Sequence, residues 1–382
     1  MSIKFAVYLM IVIVSTAVTG CGSAARVHQV DLSDLPASYP DRESATTSAA
    51  LNWKYVFNDN HLQQLIDTAL NRNFDVLAAM QRIEATRAQI SAAKGRMLPS
   101  VDARMALSQN RYGLYTMDGA GNADTNIEQD RRVPVHLRDY HLGIQSSWEV
   151  DIWGRMKNLR SGALARFAVS LEGRNLIVTN LVADVASAYY ELVSLDVRRE
   201  ILQETISLQE NALTLVRVQK ETGVTNELAV EQFEAQLLSM QALKKEVDQE
   251  IRDVEVRISL LLGRYPDTIP RTTEAFYTES VLNPQVGIPS ELLRYRPDVR
   301  QAEHEVMAAS ADVRAARAAL LPSFNITGDF GLQAYRTPLL FTTPESFAYT
   351  VLGGVTAPLI NRKAIKAEFA SAKASELESI YN

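Results

Sequence analysis

The sequence changes character within GRMLPSVDARM, residues 95–105. Before Pro99 the chain is an alanine-rich run of helix-forming residues, and from Val101 to Ser108 apolar and polar residues alternate. Proline lacks an amide donor and disfavours helix at the residue before it, while a period of two is typical of a strand with one apolar face. The stretch therefore predicts a junction where a helix ends and a strand begins.

The same junction occurs again at Pro322. Residues 74–100, FDVLAAMQRIEATRAQISAAKGRMLPS, align without a gap with residues 297–323, PDVRQAEHEVMAASADVRAARAALLPS. A second alternating segment follows in each copy, YHLGIQSSWEVDIW at 140–153 and SFAYTVLGGVTAP at 346–358. The chain is therefore predicted to contain two copies of one unit, each with a helix, a junction and a β-hairpin.

The N-terminus predicts export. Lys4 precedes the apolar run FAVYLMIVIVSTAV, which is too short to cross a membrane comfortably and is typical of a signal peptide over residues 1–20. The following VTGC resembles the bacterial lipobox, so Cys21, the single cysteine, is the expected site of lipid attachment. Gly22 after it favours the outer membrane by the same resemblance. Residues 21–52 are expected to form an extended tether.

Each of the four predicted strands has one apolar and one polar face, as in a transmembrane β-barrel with lipid outside and water inside. A sheet covering the core of a soluble protein would show the same pattern, but the leader and the predicted lipid anchor favour the barrel. Because four strands cannot close a barrel, we expect other copies of the chain to complete it. Polar positions of these segments, such as Asp102, Glu149, Asp151 and Asp329, are expected to line a wet lumen.

Two long helices are predicted between the β-hairpins. Neither glycine nor proline occurs between Gly173 and Gly223, and apolar residues keep a three-four spacing on both sides of a turn at Gly223. The helix before the turn extends back to about residue 155, which corresponds to roughly 100 Å. The helices alone would fit a soluble coiled coil, whereas their combination with the strands indicates a conduit.

The composition excludes several other classes of function. The net charge is −6 and the basic residues are scattered, which argues against nucleic-acid binding. The five histidines lack metal-ligand spacing, and no nucleotide-binding loop or nucleophile motif is present. We expect no enzymatic activity and no cofactor.

The chain resembles the TolC-type outer-membrane efflux factors, in particular the lipidated, NodT-like branch that works with resistance-nodulation-division pumps. The resemblance is carried by WKYVFNDNHLQQLIDTALNRNFDVLAA at 53–79, SSWEVDIWGRMKNLRSGALAR at 146–166 and VRVQKETGVTNELAVEQFEAQL at 216–237, together with the repeat region ending at LPSF. It implies an α+β membrane protein, a homotrimer with a twelve-stranded β-barrel and a periplasmic α-barrel. The implied partners are a periplasmic adaptor protein, an inner-membrane pump and outer-membrane lipid.

The resemblance also implies roles for single residues. The tip of the helical hairpin would dock the adaptor, and Pro99 and Pro322 would mark the entry of helices into the barrel. The residues that correspond to the docking tip are Arg217, Thr222, Gly223, Val224 and Thr225.

We therefore predict the following organisation. The first repeat covers 53–270, with a β-hairpin at 100–152 and a helical hairpin at 155–262. An equatorial linker at 271–297 precedes the second repeat at 298–382, which has a β-hairpin at 323–358 and the start of a second long helix. By comparison with the first repeat, about 87 residues of a second helical hairpin are expected to be missing.

The predicted function is a passive outer-membrane exit duct for small molecules in a tripartite efflux system. Three alternatives remain open: a type I secretion duct, a structural coiled-coil lipoprotein, and a non-functional truncated product.

Overall fold

The computed structural model describes residues 53–273, 293–360 and 362–382. The predicted signal peptide, Cys21, the tether and positions 274–292 of the predicted linker lie outside the described residues. The elements in chain order are α1 Trp53–Val56, α2 Asn60–Arg72, α3 Phe74–Gly95, β1 Ser100–Asn110, α4 Met117–Asp124, β2 Asn126–Glu128, β3 Arg131–Arg132, β4 Leu137–Val150, α5 Arg155–Glu221, α6 Glu227–Leu261, α7 Pro297–Ala318, β5 Ser323–Ala334, α8 Thr337–Leu340, β6 Phe347–Thr356 and α9 Lys363–Tyr381.

Helices α5 and α6 form an antiparallel hairpin, and α5 has 67 residues, so it is roughly 100 Å long. The apolar stripe predicted from the three-four spacing forms the core between these two helices and α2. The core also includes residues outside that stripe, and its fully buried members include Leu62, Ile66, Val185, Tyr189, Leu192, Val247, Ile258 and Leu262. Burial of this stripe, rather than intrinsic helix propensity, stabilises helices of this length.

The equivalent helices of the two repeats, α3 and α7, both pack against the first half of α5. Ala93 of α3 is buried against Ala163 of α5, and Thr86 and Ser170 share a hydrogen bond of 3.0 Å. On the α7 side, a guanidinium nitrogen of Arg300 lies 2.7 Å from a carboxylate oxygen of the buried Glu172. Small residues at these contacts allow the helix axes to approach closely.

The four long strands form one antiparallel sheet in the order β1-β4-β5-β6. The central pairing, β4 with β5, joins the hairpin of the first repeat to that of the second. Between β1 and β4 the chain forms α4 and the small β2–β3 ribbon. The predicted α+β fold, with a long helical hairpin and four strands per chain, is confirmed.

An ionic clasp holds the segment that follows α6. The guanidinium of Arg271 bonds the carboxylate of Asp196 on α5 and, at 2.6 Å, that of Glu255 on α6. All three side chains are at most 17% exposed. Buried charges are tolerated only when they are paired in this way, so the clasp fixes the chain against both long helices as it leaves the hairpin.

We predict that Leu262→Ala lowers the free energy of unfolding by about 2–5 kcal/mol, because it removes a fully buried side chain from the core and leaves a cavity. Leu260→Ala is the matched control, because Leu260 lies two residues away and is 71% exposed. Urea unfolding followed by circular dichroism at 222 nm, in detergent, measures both variants. Equal losses of stability in the two would contradict the proposed core.

Candidate functional site

The candidate site is the wall formed by the sheet, whose two faces differ in chemistry. Residues paired across antiparallel strands point to the same face, so the strand register shows which side chains lie on each face of the sheet. One face has six successive rows, which are Leu107–Tyr140–Ala334, Met105–Leu142–Leu332–Phe347, Ala103–Ile144–Phe330–Tyr349, Val101–Ser146–Gly328–Val351, Trp148–Ile326–Gly353 and Val150–Phe324–Val355. We call this the apolar face.

The apolar face is uncovered by the described part of the chain. Met105 is 86% exposed, Val351 75% and Tyr349 71%. Exposed apolar surface of this extent marks an interaction with lipid or another protein. From Tyr140 to Val150 the rows extend about 33 Å along the strand, and a tilt of about 40° shortens this to about 25 Å, the height of the apolar band on membrane barrels.

The opposite face is polar. It carries the predicted lumen residues Asp102 and Asp329, with Gln145 and Thr350 in the same row. Glu149 also lies on it, whereas Asp151 follows the end of β4 and caps a helix. The side chains on this face bond one another: Gln333 donates to the carboxylate of Asp139 at 2.9 Å.

A diagonal contact that the sequence did not predict crosses the polar face between His141 and Asp329, whose side-chain atoms lie 2.7 Å apart. The contact passes over Gly143 and Gly331, which are paired with each other in the register. A Cβ on Gly143 would come within 2.5 Å of the carbonyl oxygen of Phe330. The two glycines therefore permit both the close approach of β4 to β5 and the passage of the imidazole above them.

Both hinges are held by tryptophan. At the first, α3 ends at Gly95, β1 begins at Ser100, and the indole N–H of Trp148 donates to the carbonyl of Met97 at 3.1 Å. At the second, the indole N–H of Trp153 donates to the carbonyl of Pro322 at 2.7 Å. Each proline thus lies where a helix gives way to a strand of the sheet.

The return from sheet to helix is capped by Asp151. Its carboxylate accepts from the backbone N–H groups of Met156 at 2.9 Å and Lys157 at 2.8 Å, which are otherwise unpaired at a helix start. Gly154 provides the left-handed turn, with φ of 73°.

The helical hairpin ends in a tight turn that brings Thr222, Gly223, Val224 and Thr225 together. Gly223 has φ of 74°, and the N–H of Val224 donates to the carbonyl of Gln219 at 2.8 Å, a glycine-dependent helix ending. Val224 is 74% exposed.

Arg217 lies apart from this turn, on α5, where its guanidinium is 3.2 Å from the carboxylate of Glu234 on α6. Lys220 and Glu227 form a second ion pair across the hairpin. The turn is therefore exposed, and Arg217 is itself about half exposed while it pairs with Glu234.

Two other possible sites find no support in the described ranges. Among residues 53–273, 293–360 and 362–382, no group of three or more His, Cys, Asp or Glu side chains could hold a metal ion. Helix α5 is long and apolar enough in one window to cross a membrane by composition alone, but part of its apolar surface, including Leu181, Val185 and Leu192, is buried in the core with α2 and α6.

Comparisons with known proteins agree on the family. Residues 65–264 and 288–382 match the family model described as outer membrane efflux protein. The pyoverdine export outer membrane protein OpmQ of Pseudomonas putida is 29% identical over 344 residues, which are 90% of this chain and 71% of OpmQ. The probable efflux pump outer membrane protein SepC of the same species is 29% identical over 78% of this chain, which spans 60% of SepC. The cation efflux system protein CusC of Escherichia coli K12 is 27% identical over 97% of this chain and 78% of its own length.

Solved structures are similar as well. A membrane protein from Pseudomonas aeruginosa has a TM-score of 0.76 at 25% identity, over 91% of this chain and 78% of its own. The outer-membrane channel OprN has a TM-score of 0.75 at 26% identity, over 90% of this chain and 76% of its own.

We predict that Gly143→Ala weakens the pairing of β4 with β5 and lowers the folded fraction, because its methyl group would meet the Phe330 backbone at 2.5 Å. Overpacking of this kind costs about 1–3 kcal/mol. Gly354→Ala on the same face is the control, since nothing lies within 4 Å of a Cβ there. Heat-modifiable mobility on gels measures the folded fraction, and normal folding of Gly143→Ala would refute the close approach.

Proposed function

The chain belongs to the outer membrane efflux protein family, and from this premise we propose that it forms the wall of an outer-membrane exit duct in a tripartite efflux system. The observation that carries the proposal is the sheet with one exposed apolar face of membrane height and one polar face. Lipid outside and water inside a barrel satisfy both faces at once.

The open edges of the sheet support assembly from several copies. The outer edges of β1 and β6 have no strand partner in the described part of the chain, and each unpaired backbone group in lipid costs several kcal/mol. Pairing of β6 with β1 of the next copy removes all edges in a closed ring. Three copies give twelve strands, which is the arrangement implied by the family resemblance and within the range of known barrels.

The helical hairpin gives the duct its reach. Helix α5 begins at Arg155, shortly after the end of β4, and continues for roughly 100 Å, so a barrel in the outer membrane would carry the hairpin turn deep into the periplasm. We propose that the exposed turn at 222–225 docks a periplasmic adaptor protein, and that an inner-membrane pump, of the resistance-nodulation-division type, supplies energy and selects substrate. Cys21 would anchor the N-terminus in lipid.

The residues that form the wall of the duct do not identify the exported compound. The names of two of these relatives, OpmQ and CusC, refer to pyoverdine and to cations, and a passive duct needs no specific site for its cargo. The proposal is therefore limited to small molecules selected elsewhere in the assembly.

The faces of the sheet can be tested at two adjacent residues. Val351→Lys places a charge on the fourth of the six apolar rows, near the middle of the bilayer, where it costs about 2–4 kcal/mol. Thr350→Lys makes the same change on the polar face. We expect Val351→Lys to reduce the folded protein recovered from outer membranes, while Thr350→Lys inserts normally and changes the conductance or ion selectivity of pores in planar bilayers. Equal insertion of both, or absence of conductance in the unaltered protein, would refute the duct and favour a structural lipoprotein.

The docking turn can be tested separately. Val224→Glu replaces an exposed apolar side chain by a charge without entering the core, so trimer formation and bilayer conductance should remain unchanged. Site-specific cross-linking to a periplasmic adaptor and export of pump substrates should fall, because the turn would lose its apolar contact. Unchanged cross-linking and export would refute docking at this turn.

A further inference from the structure

A basic cavity of about 630 Å³ lies at the end of the sheet farthest from the long helices. Four of its lining side chains are basic, namely Arg131, His136, Arg138 and Arg336, and Tyr140 and Tyr335 also face it. None of the described residues that line it carries a carboxylate. This concentration of guanidinium groups is unexpected in a chain whose net charge is −6.

The register places the cavity at the rim of the apolar face. Arg138 pairs with Gln109 and lies two residues beyond Tyr140, on the same face of β4. Arg336 lies two residues beyond Ala334 and keeps an extended backbone, with φ of −139° and ψ of 142°, so the alternation of β5 continues to it. Two residues of strand are about 7 Å, and the headgroup layer adds about 5–8 Å beyond the hydrocarbon core. Both guanidinium groups are therefore at headgroup depth.

Within the part of the chain that the structure describes, the positive charge at this rim is only partly compensated. Arg131 and Arg336 share one carboxylate, that of Glu128, at 3.6 and 3.8 Å. The adjacent Tyr335 hydroxyl, followed by Arg336 and Arg131, holds the pKa of Glu128 below its ordinary value, so this carboxylate stays ionised. Within the described ranges no carboxylate lies within 4 Å of the Arg138 guanidinium, and both Arg138 and Arg336 are exposed. Three guanidinium groups thus face a single compensating charge.

We propose that this cavity binds the phosphate groups of a phosphorylated glycolipid in the outer leaflet of the outer membrane. The planar guanidinium group matches phosphate oxygens in a bidentate manner, and basic pockets at the rim of membrane proteins recognise anionic headgroups. Tyr140, which lies on the apolar face itself, suits the boundary between acyl chains and headgroups. The inference rests on the proposed barrel, because only that arrangement turns the apolar face and its rim toward lipid.

The test uses the full chain, reconstituted in vesicles that contain either a bisphosphorylated glycolipid or its dephosphorylated form. Native mass spectrometry counts the glycolipid molecules retained per protomer after extraction in mild detergent. The variants are Arg138→Gln/Arg336→Gln, the charge-conserving Arg138→Lys/Arg336→Lys, and Arg104→Gln as a control on the opposite, polar face of the sheet. Inorganic pyrophosphate at millimolar concentration serves as the free-anion probe.

We expect the unaltered protein and the Arg104→Gln control to retain the phosphorylated lipid and to release the dephosphorylated one. The glutamine double variant should bind at least about tenfold more weakly, and the lysine double variant should be intermediate. Retention by the glutamine variant equal to that of the unaltered protein, or equal retention of both lipids, would overturn the inference. Release of the lipid by pyrophosphate at equal affinity would overturn the assignment to a lipid.

Insertion and conductance, measured in the same vesicles, show separately whether the barrel itself forms. If the unaltered protein inserts and conducts but shows no phosphate-dependent retention, only the lipid site is refuted. If it neither inserts nor conducts, the proposed function is refuted together with the lipid site.

Discussion

The structure depends on one constraint, the hydrogen bonding of backbone groups where no water is available. A strand in hydrocarbon must have a partner on each edge, and a chain that supplies four strands leaves two edges to be paired by other copies. The same constraint explains why the apolar face can remain uncovered in a single chain, with Val351 and Met105 largely exposed. Lipid, rather than protein, is the partner that such a face requires.

The helical part follows a different rule, because it lies in water and must build its own core. The helices are much longer than those of ordinary soluble domains. Burial of the stripe that includes Val185, Leu192 and Ile258 stabilises their helical conformation. At each hinge the chain passes from a water-exposed helix to a lipid-facing strand within a few residues. Proline ends the helix there, and an indole N–H satisfies a carbonyl that the interrupted backbone leaves free.

The positions that sequence reasoning missed are those whose partners are distant along the chain. Gly143 and Gly331 are ordinary glycines within alternating segments until the register brings them opposite each other. Arg138 and Arg336 lie on the apolar face at the ends of β4 and β5. Because arginine is not apolar, the alternating pattern in the sequence stops before these positions, and periodicity alone does not assign them to that face. Arg271 follows the helical hairpin in a segment without periodicity, and its partners Asp196 and Glu255 lie on two different helices.

The sequence by itself determined the repeat, the hinges at Pro99 and Pro322, the heptad-like stripe and the two faces of the four long strands. These features are local, because a period of two or of three and a half fixes which side of an element is apolar without reference to any other element. Only the tertiary structure decided that the hairpins of the two repeats join through β4 and β5, that His141 reaches Asp329 above a glycine pair, and that three arginines meet at one rim. Those contacts depend on strand order and register across about 190 residues of intervening chain, which periodicity does not encode.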